Sequence, residues 1–381
     1  MKLAGIVLVA ILLPAPVGAQ GHKFTINAET PEGQLLSQIG QEQDAAKKLE
    51  LMEQFAGKYP KHEAVVWVYE QMYPAYQKAG QLDKGLDICD KLLTADPLDA
   101  RSAHACLKVA EATKNPDTVK TWAARTSGIA RKVAALPKPK DEDAAEEWKE
   151  RTDFARQFDI YTEYAVYAAA LAAPDAKKKA ELLDALEQRN EKYEHLPALR
   201  DQVFRALLAA NDVPAALALA DKAMEKNIAT EDMLLVSADA AFNKKDYERT
   251  QSCAAKTVAA LEGKARPEGT SDADWEARRN SLLARAYWLE GVSYGIQNKY
   301  AQSDKTLRAG LPFMKGNDQL LSGAYFYLGL ANFKLGDLKT PVRDRIIDAV
   351  RFNELCAGIP GQFQAMAQRN LKAIRAQYRI Q

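Results

Sequence analysis

The sequence predicts an all-α fold: an α-solenoid of stacked antiparallel helix hairpins, closed by a C-terminal capping helix. Three observations lead there. Ala, Leu, Lys, Glu and Gln dominate a chain of 381 residues; at 47% hydrophobic and 27% charged it can bury a core and is not broadly disordered. Strand signals are missing, with few Val-Ile-Thr runs and no Asn-Gly or Asp-Gly pair between alternating apolar residues. Finally, an aromatic–glycine unit recurs. Tyr287-x2-Glu290-Gly291-x2-Tyr294 is followed by Asn298-Lys299-Tyr300, and Tyr325-x2-Leu328-Gly329 by Phe333 and Gly336-Asp337. Their offset is close to the period of about 34 residues at which helical hairpins repeat.

Residues 1–19 read as a secretory signal. Lys2 supplies the early charge, residues 5–13 form an apolar run too short to span a bilayer, and Val17-Gly18-Ala19 offers a cleavage site. No Cys follows that site, which excludes a bacterial lipoprotein. Residues 20–30 read as a flexible N-terminus. Thr30-Pro31-Glu32 then opens a helix striped by Leu35, Leu36 and Ile39, and a partner carries Leu49, Met52 and Phe55. The hairpin that follows is the clearest of the N-terminal half: Trp67, Tyr69, Met72, Tyr73 and Tyr76, a turn at Ala79-Gly80, then Leu82, Leu86, Cys89, Leu92 and Leu93. A weaker pair turns at Asn115-Pro116. These elements make an N-terminal block over 31–135.

Residues 136–146, rich in Pro, Lys, Asp and Glu, read as a linker or insertion. A second block is expected over 147–350. Trp148, Phe154, Phe158, Tyr161, Tyr164 and Tyr167 mark one long helix, and Leu182, Leu183 and Leu186 its return. Two tidier repeats turn at Asp212 and Asp246, and Trp275 opens the long helix that carries Tyr287. Residues 351–381 supply the cap, whose Met366, Leu371, Ile374 and Tyr378 face many polar residues.

By period, aromatic and glycine placement and turn chemistry, residues 31–350 resemble the tetratricopeptide repeat family. The best matches are 69–97, 234–257, 287–307 and 325–336; residues 100–200 depart from the pattern. Physically, Gly291 and Gly329 let paired helices approach closely, and stacked hairpins bury the faces that one hairpin cannot. The resemblance implies a superhelix with a concave groove that takes extended peptides or helices. Some relatives grip a C-terminal carboxylate with Lys and Asn on the first helices. Here those places hold Glu70/Pro74, Leu235/Asp239, Trp288/Val292 and Phe326/Leu330, so that clamp is absent. Instead Trp288 and Phe326, with Tyr327 and Phe333 nearby, are candidates for an aromatic platform, and Trp67 and Glu70 are further groove candidates. The opposing reading is that the C-terminal helix folds over Trp288 and Phe326 as core.

Lys2 apart, 51 acidic residues face an equal number of basic ones, which argues against nucleic acid or an anionic membrane as main partner. No later run of about 18 apolar residues provides an integral membrane span. Cys89 and Cys106 fall on neighbouring helices, either as a disulfide permitted by export or as two small buried side chains. No CxxC pair or His spacing suits a metal, and no cofactor site is read. Gly291-Val292-Ser293-Tyr294-Gly295 matches a nucleophile elbow, but it lies inside a repeat helix, and His22, His62, His104 and His195 all precede it. The carboxylates at Asp141, Asp143, Glu146 and Glu147 lie in solvated stretches. The expectation is therefore an exported, non-catalytic scaffold, periplasmic or secreted after cleavage near Ala19, that binds another protein. The alternatives are a soluble receptor for a glycan or small ligand, or an accessory subunit of an envelope enzyme; oligomeric state is left open.

Overall fold

The computed structural model describes residues 26–380, and these residues form α-helices, one 3-10 turn and no strand. The signal expected over residues 1–19 lies outside the described residues. Contacts divide the chain into two compact units, with the division between Ala206 and Leu207.

The first unit contains α1 (Pro31–Gln41), α2 (Ala45–Lys58), α3 (Val65–Lys78), α4 (Leu82–Ala95), α5 (Ala100–Ala112), α6 (Pro116–Ala134), α7 (Glu142–Ala172) and α8 (Ala176–Arg189), then most of α9 (Leu196–Ala209). Each helix packs on the next from α1 to α8, and α3 on α5, α5 on α7 and α6 on α8. This pattern is that of hairpins stacked side by side. Leu36, Ile39, Met52, Phe55, Val68, Met72 and Leu92 are nearly inaccessible and make the N-terminal core. The second unit holds α10 (Val213–Glu225), α11 (Glu231–Asn243), α12 (Tyr247–Glu262), α13 (Asp272–Ile296), α14 (Tyr300–Gly310), α15 (Asp318–Gly336), α16 (Arg343–Ala357) and α17 (Gln364–Tyr378). Helices α11 and α13 also touch, as do α13 and α15.

Local chemistry sets the helix starts. Side-chain oxygens of Thr30, Asp44, Asp99, Asn115, Asp141, Asp175, Asp212, Asp246, Ser271 and Asn317 each accept a backbone N–H of the following first turn. The tight turns of five hairpins also share one form. Gly80, Lys114, Asn211, Lys245 and Asn298 all take positive φ, each just before the residue that caps or precedes the second helix. By this criterion the pair α5–α6, weak in sequence, is a full repeat.

Three boundaries differ from those expected. Ile26 packs on the first core, and Asn27 accepts from both the N–H and the hydroxyl of Thr30, so the end of the 20–30 stretch is folded. Residues 136–146 do not break the array. Asp141 caps α7, Trp148 Nε1 donates to Leu136 O at 2.8 Å, Arg151 Nη2 donates to Leu98 O at 2.8 Å, and α7 packs along the length of α6. A Pro- and charge-rich stretch here is only a turn between packed helices. The cap expected from residue 351 begins inside α16, whose Phe352 belongs to the core formed with α13–α15.

Candidate functional site

The aromatic strip of the second unit is packed. Trp288, on α13, has its ring centroid 5.6 Å from that of Phe242, and Arg285 lies over it at 5.0 Å. Its indole nitrogen meets α15 where Gly323 leaves room: a Cβ there would sit 2.7 Å from Trp288 Nε1. Phe326 stacks on Phe363, the residue that precedes α17, at 4.8 Å and 22°, and Tyr327 meets both rings edge-on. Phe333 packs beside Ile346, Val350 and Ile374. These four residues are half-buried, each against a neighbouring element, and Phe333 also lines a cleft of about 230 Å³ with Gly329, Asn353 and Ile374. Glycine explains how the helices come so close. A Cβ on Gly291 would lie 2.5 Å from Leu307 Cγ, and one on Gly329 2.5 Å from Asn353 Nδ2.

The N-terminal candidates fare alike. Trp67 is half-buried against the first core, and Glu70 is only 7% exposed. Tyr73 is raised from its ordinary pKa, chiefly by burial and then by the charges of Glu70 and Asp99. Cys89 and Cys106 form a disulfide that ties α4 to α5, with Cα atoms 5.7 Å apart.

The feature that stands open lies in the first unit. Helix α7 carries two neighbouring stripes. Phe154, Phe158, Tyr161, Ala165, Ala168 and Ala172 face α5 and α6, whereas Ile160, Tyr164, Tyr167 and Leu171 follow the adjacent line. On that second line Ile160 is 68% exposed, Tyr164 52% and Leu171 37%. Between the stripes and the α5–α6 turn is a cleft of about 480 Å³, lined by Tyr161, Tyr164 and four alanines of α7 and by Glu111, Lys114, Pro116 and Val119. Its volume falls in the range of about 300–1,000 Å³ typical of ligand sites.

The floor of this region is held firmly. His104 lies 3.7 Å from Phe158 and 5.4 Å from Tyr161, centroid to centroid. Burial, then the nearby Lys108 charge, pushes the imidazole down to about 4, so it stays neutral. Tyr161 donates to Glu111 Oε1 at 2.6 Å, and Lys108 donates to Glu111 Oε2 at 3.0 Å and contacts the Tyr161 hydroxyl. Burial would lower the Lys108 pKa, yet these two partners raise it. On the far side of α7, Asp159 accepts from Arg131, Arg189 and Ser127, which joins α6, α7 and α8. The cleft is thus a wall of small apolar side chains on a rigid helix, with a satisfied polar cluster at one end.

The aromatics of α7 are visible in the sequence, but as markers of one long helix. The signal for the cleft was that they occupy two helical stripes, more than one neighbour can cover.

No family model and no curated protein matches this chain. Among solved structures, it is similar to the TPR domain of P58(IPK) at 9% identity, covering 91% of this chain and 96% of that one, with a TM-score of 0.28. It is also similar to a structure of Naa15/Naa10 bound to HypK-THB, at 10% identity, covering 92% of this chain and 76% of that one, with a TM-score of 0.19. Identities this low transfer no residue role.

Proposed function

We propose that this chain is a non-catalytic helical-repeat adaptor that works after export and binds a peptide or helix of another protein in the α5–α7 cleft. The observation that carries the reading is the cleft of about 480 Å³ beside three exposed apolar residues of one long helix. Solvent contact at large apolar side chains is costly, and patches of this kind mark interaction sites. The signal-like residues 1–19 and the Cys89–Cys106 disulfide support an oxidising compartment.

A photo-crosslinking residue at Tyr164 in the native cell, compared with one at the half-buried Phe326, tests the site. One partner recovered in stoichiometric amount from Tyr164, and lost when Ala168→Trp fills the cleft, is the expected result. Equal capture from both positions, or capture that survives Ala168→Trp, refutes it. The intact mass of the purified protein tests export: a chain starting near Gln20 and two hydrogens lighter than the reduced form is expected, and a full-length reduced chain counts against it. The receptor reading draws on the same cleft through Tyr161 and Tyr164, and a bound small molecule co-purifying with the chain would favour it.

A further inference from the structure

The charges around the cleft narrow what enters it. Glu111 is paired with Lys108, and Asp117 and Glu181 with Lys178; Lys120 also reaches Asp117 at 3.4 Å. Among the described residues, two ammonium groups are left over. Lys114 lines the mouth, held at its tip by a left-handed backbone (φ 55°) and without a carboxylate partner. Lys179 is bonded to main-chain carbonyls at the end of α7, donating to Leu171 O at 2.7 Å, so its charge is not neutralised by an acid either. Part of that charge answers the negative end of the α7 dipole, and Lys114, two residues past the last residue of α5, lies at the negative end of that helix in the same way; in neither case does an acid neutralise the charge. Below the mouth the wall is Ala165, Ala168, Ala169 and Ala172 with Pro116 and Val119, which has room for one large apolar side chain and offers it no polar partner.

Resting on the adaptor reading above, we infer that the occupant is an acidic amphipathic peptide segment of a partner protein. A single large apolar residue seats against the alanine wall, and an Asp or Glu within about one helical turn of it pairs with Lys114. The apolar anchor supplies most of the affinity and the carboxylate sets the preference, because an exposed ion pair contributes little by itself.

Selection of a random, terminally blocked peptide library on the full chain tests this, run in parallel on Lys114→Glu and Ala168→Trp, both checked for unchanged helicity. The expected pool from the wild-type chain carries a large apolar residue flanked by Asp or Glu. On Lys114→Glu those peptides weaken by about two- to fivefold and the flanking preference turns to Lys or Arg; on Ala168→Trp they are lost. Apolar-anchored peptides that need the cleft but show no acidic bias, or a bias unmoved by Lys114→Glu, overturn the charge assignment and leave the cleft reading standing. Peptides that bind Ala168→Trp as well as the wild-type chain, or a selection that yields none, overturn both.

Discussion

Gly291→Ala is the sharpest test of how the second unit is packed. A Cβ at this position would lie 2.5 Å from Leu307 Cγ, 2.6 Å from Leu307 Cδ2 and 3.3 Å from the Leu307 backbone nitrogen. Leu307 is fully buried, so its side chain has nowhere to turn, and α14 must move away from α13. Forcing an extra methyl into a packed seam costs about 1–3 kcal/mol. Contacts as short as 2.5 Å put the change at the upper end of that range, about 2–3 kcal/mol; alanine's better helix propensity returns at most about 1 kcal/mol, which leaves a net loss of about 1–2 kcal/mol. Gly128→Ala is the matched control. Gly128 lies on an exposed face inside α6, and a Cβ there would meet nothing within 4 Å, so the change should stabilise by about 0.5–1 kcal/mol. Urea unfolding followed by helical circular dichroism, with the two units resolved as separate transitions where they separate, measures both. A Gly291→Ala chain as stable as the wild type, or stabilised like Gly128→Ala, would refute the close approach of α13 and α14.

Three other outcomes are expected. Lowering the pH from about 6.5 to about 4 should destabilise the first unit, because the unfolded chain takes up a proton that folded His104 refuses until about 4. Since the imidazole is only half-buried, the effect is about 1–2 kcal/mol, and His104→Phe should flatten this part of the stability–pH curve. Asp304 accepts from Arg308 Nε at 2.8 Å, Arg345 Nη1 at 2.6 Å and Asn332 Nδ2 at 2.7 Å. Burial alone would raise its pKa, but these partners hold it below the usual carboxylate range. Its contribution is complete above about pH 4 and is lost as pH falls through the folded value, and Asp304→Asn should cost about 2–3 kcal/mol at neutral pH, discounted because both arginines are partly solvated. Opening the Cys89–Cys106 loop with Cys89→Ala should cost about 3 kcal/mol in chemical denaturation, and dithiothreitol should do the same to the wild-type chain.

Much of the fold is legible in the residues because it depends on local chemistry. Caps such as Asn115 and Asp246, first-turn prolines such as Pro31 and Pro116, and apolar spacing announce helices before any partner is known. Gly291 and Gly329 announce close packing, since a glycine inside an otherwise apolar helix lowers helix propensity and persists where a Cβ cannot fit. The positive-φ turns were partly visible: Gly80 and Asn211 are ordinary left-handed residues, whereas Lys114 is not, and it made a regular repeat at α5–α6 look weak. The Pro- and acid-rich stretch near Asp141 misled for a related reason, because the composition of a short turn between packed helices is the same as that of a linker.

The candidate site was legible in its residue types and not in its location. Trp288, Phe326, Tyr161 and Tyr164 are all aromatics at helical spacing, and spacing assigns a side chain to a stripe without saying what lies opposite. By itself the sequence determined that this chain is an array of helix hairpins, where each hairpin turns, and which stripes are apolar, because caps, turns and periodicity act over a few residues. Only the tertiary structure decided that Phe363 closes over Phe326 while the α5–α6 turn stops short of Tyr164, because which apolar face remains uncovered depends on contacts between residues far apart in the chain.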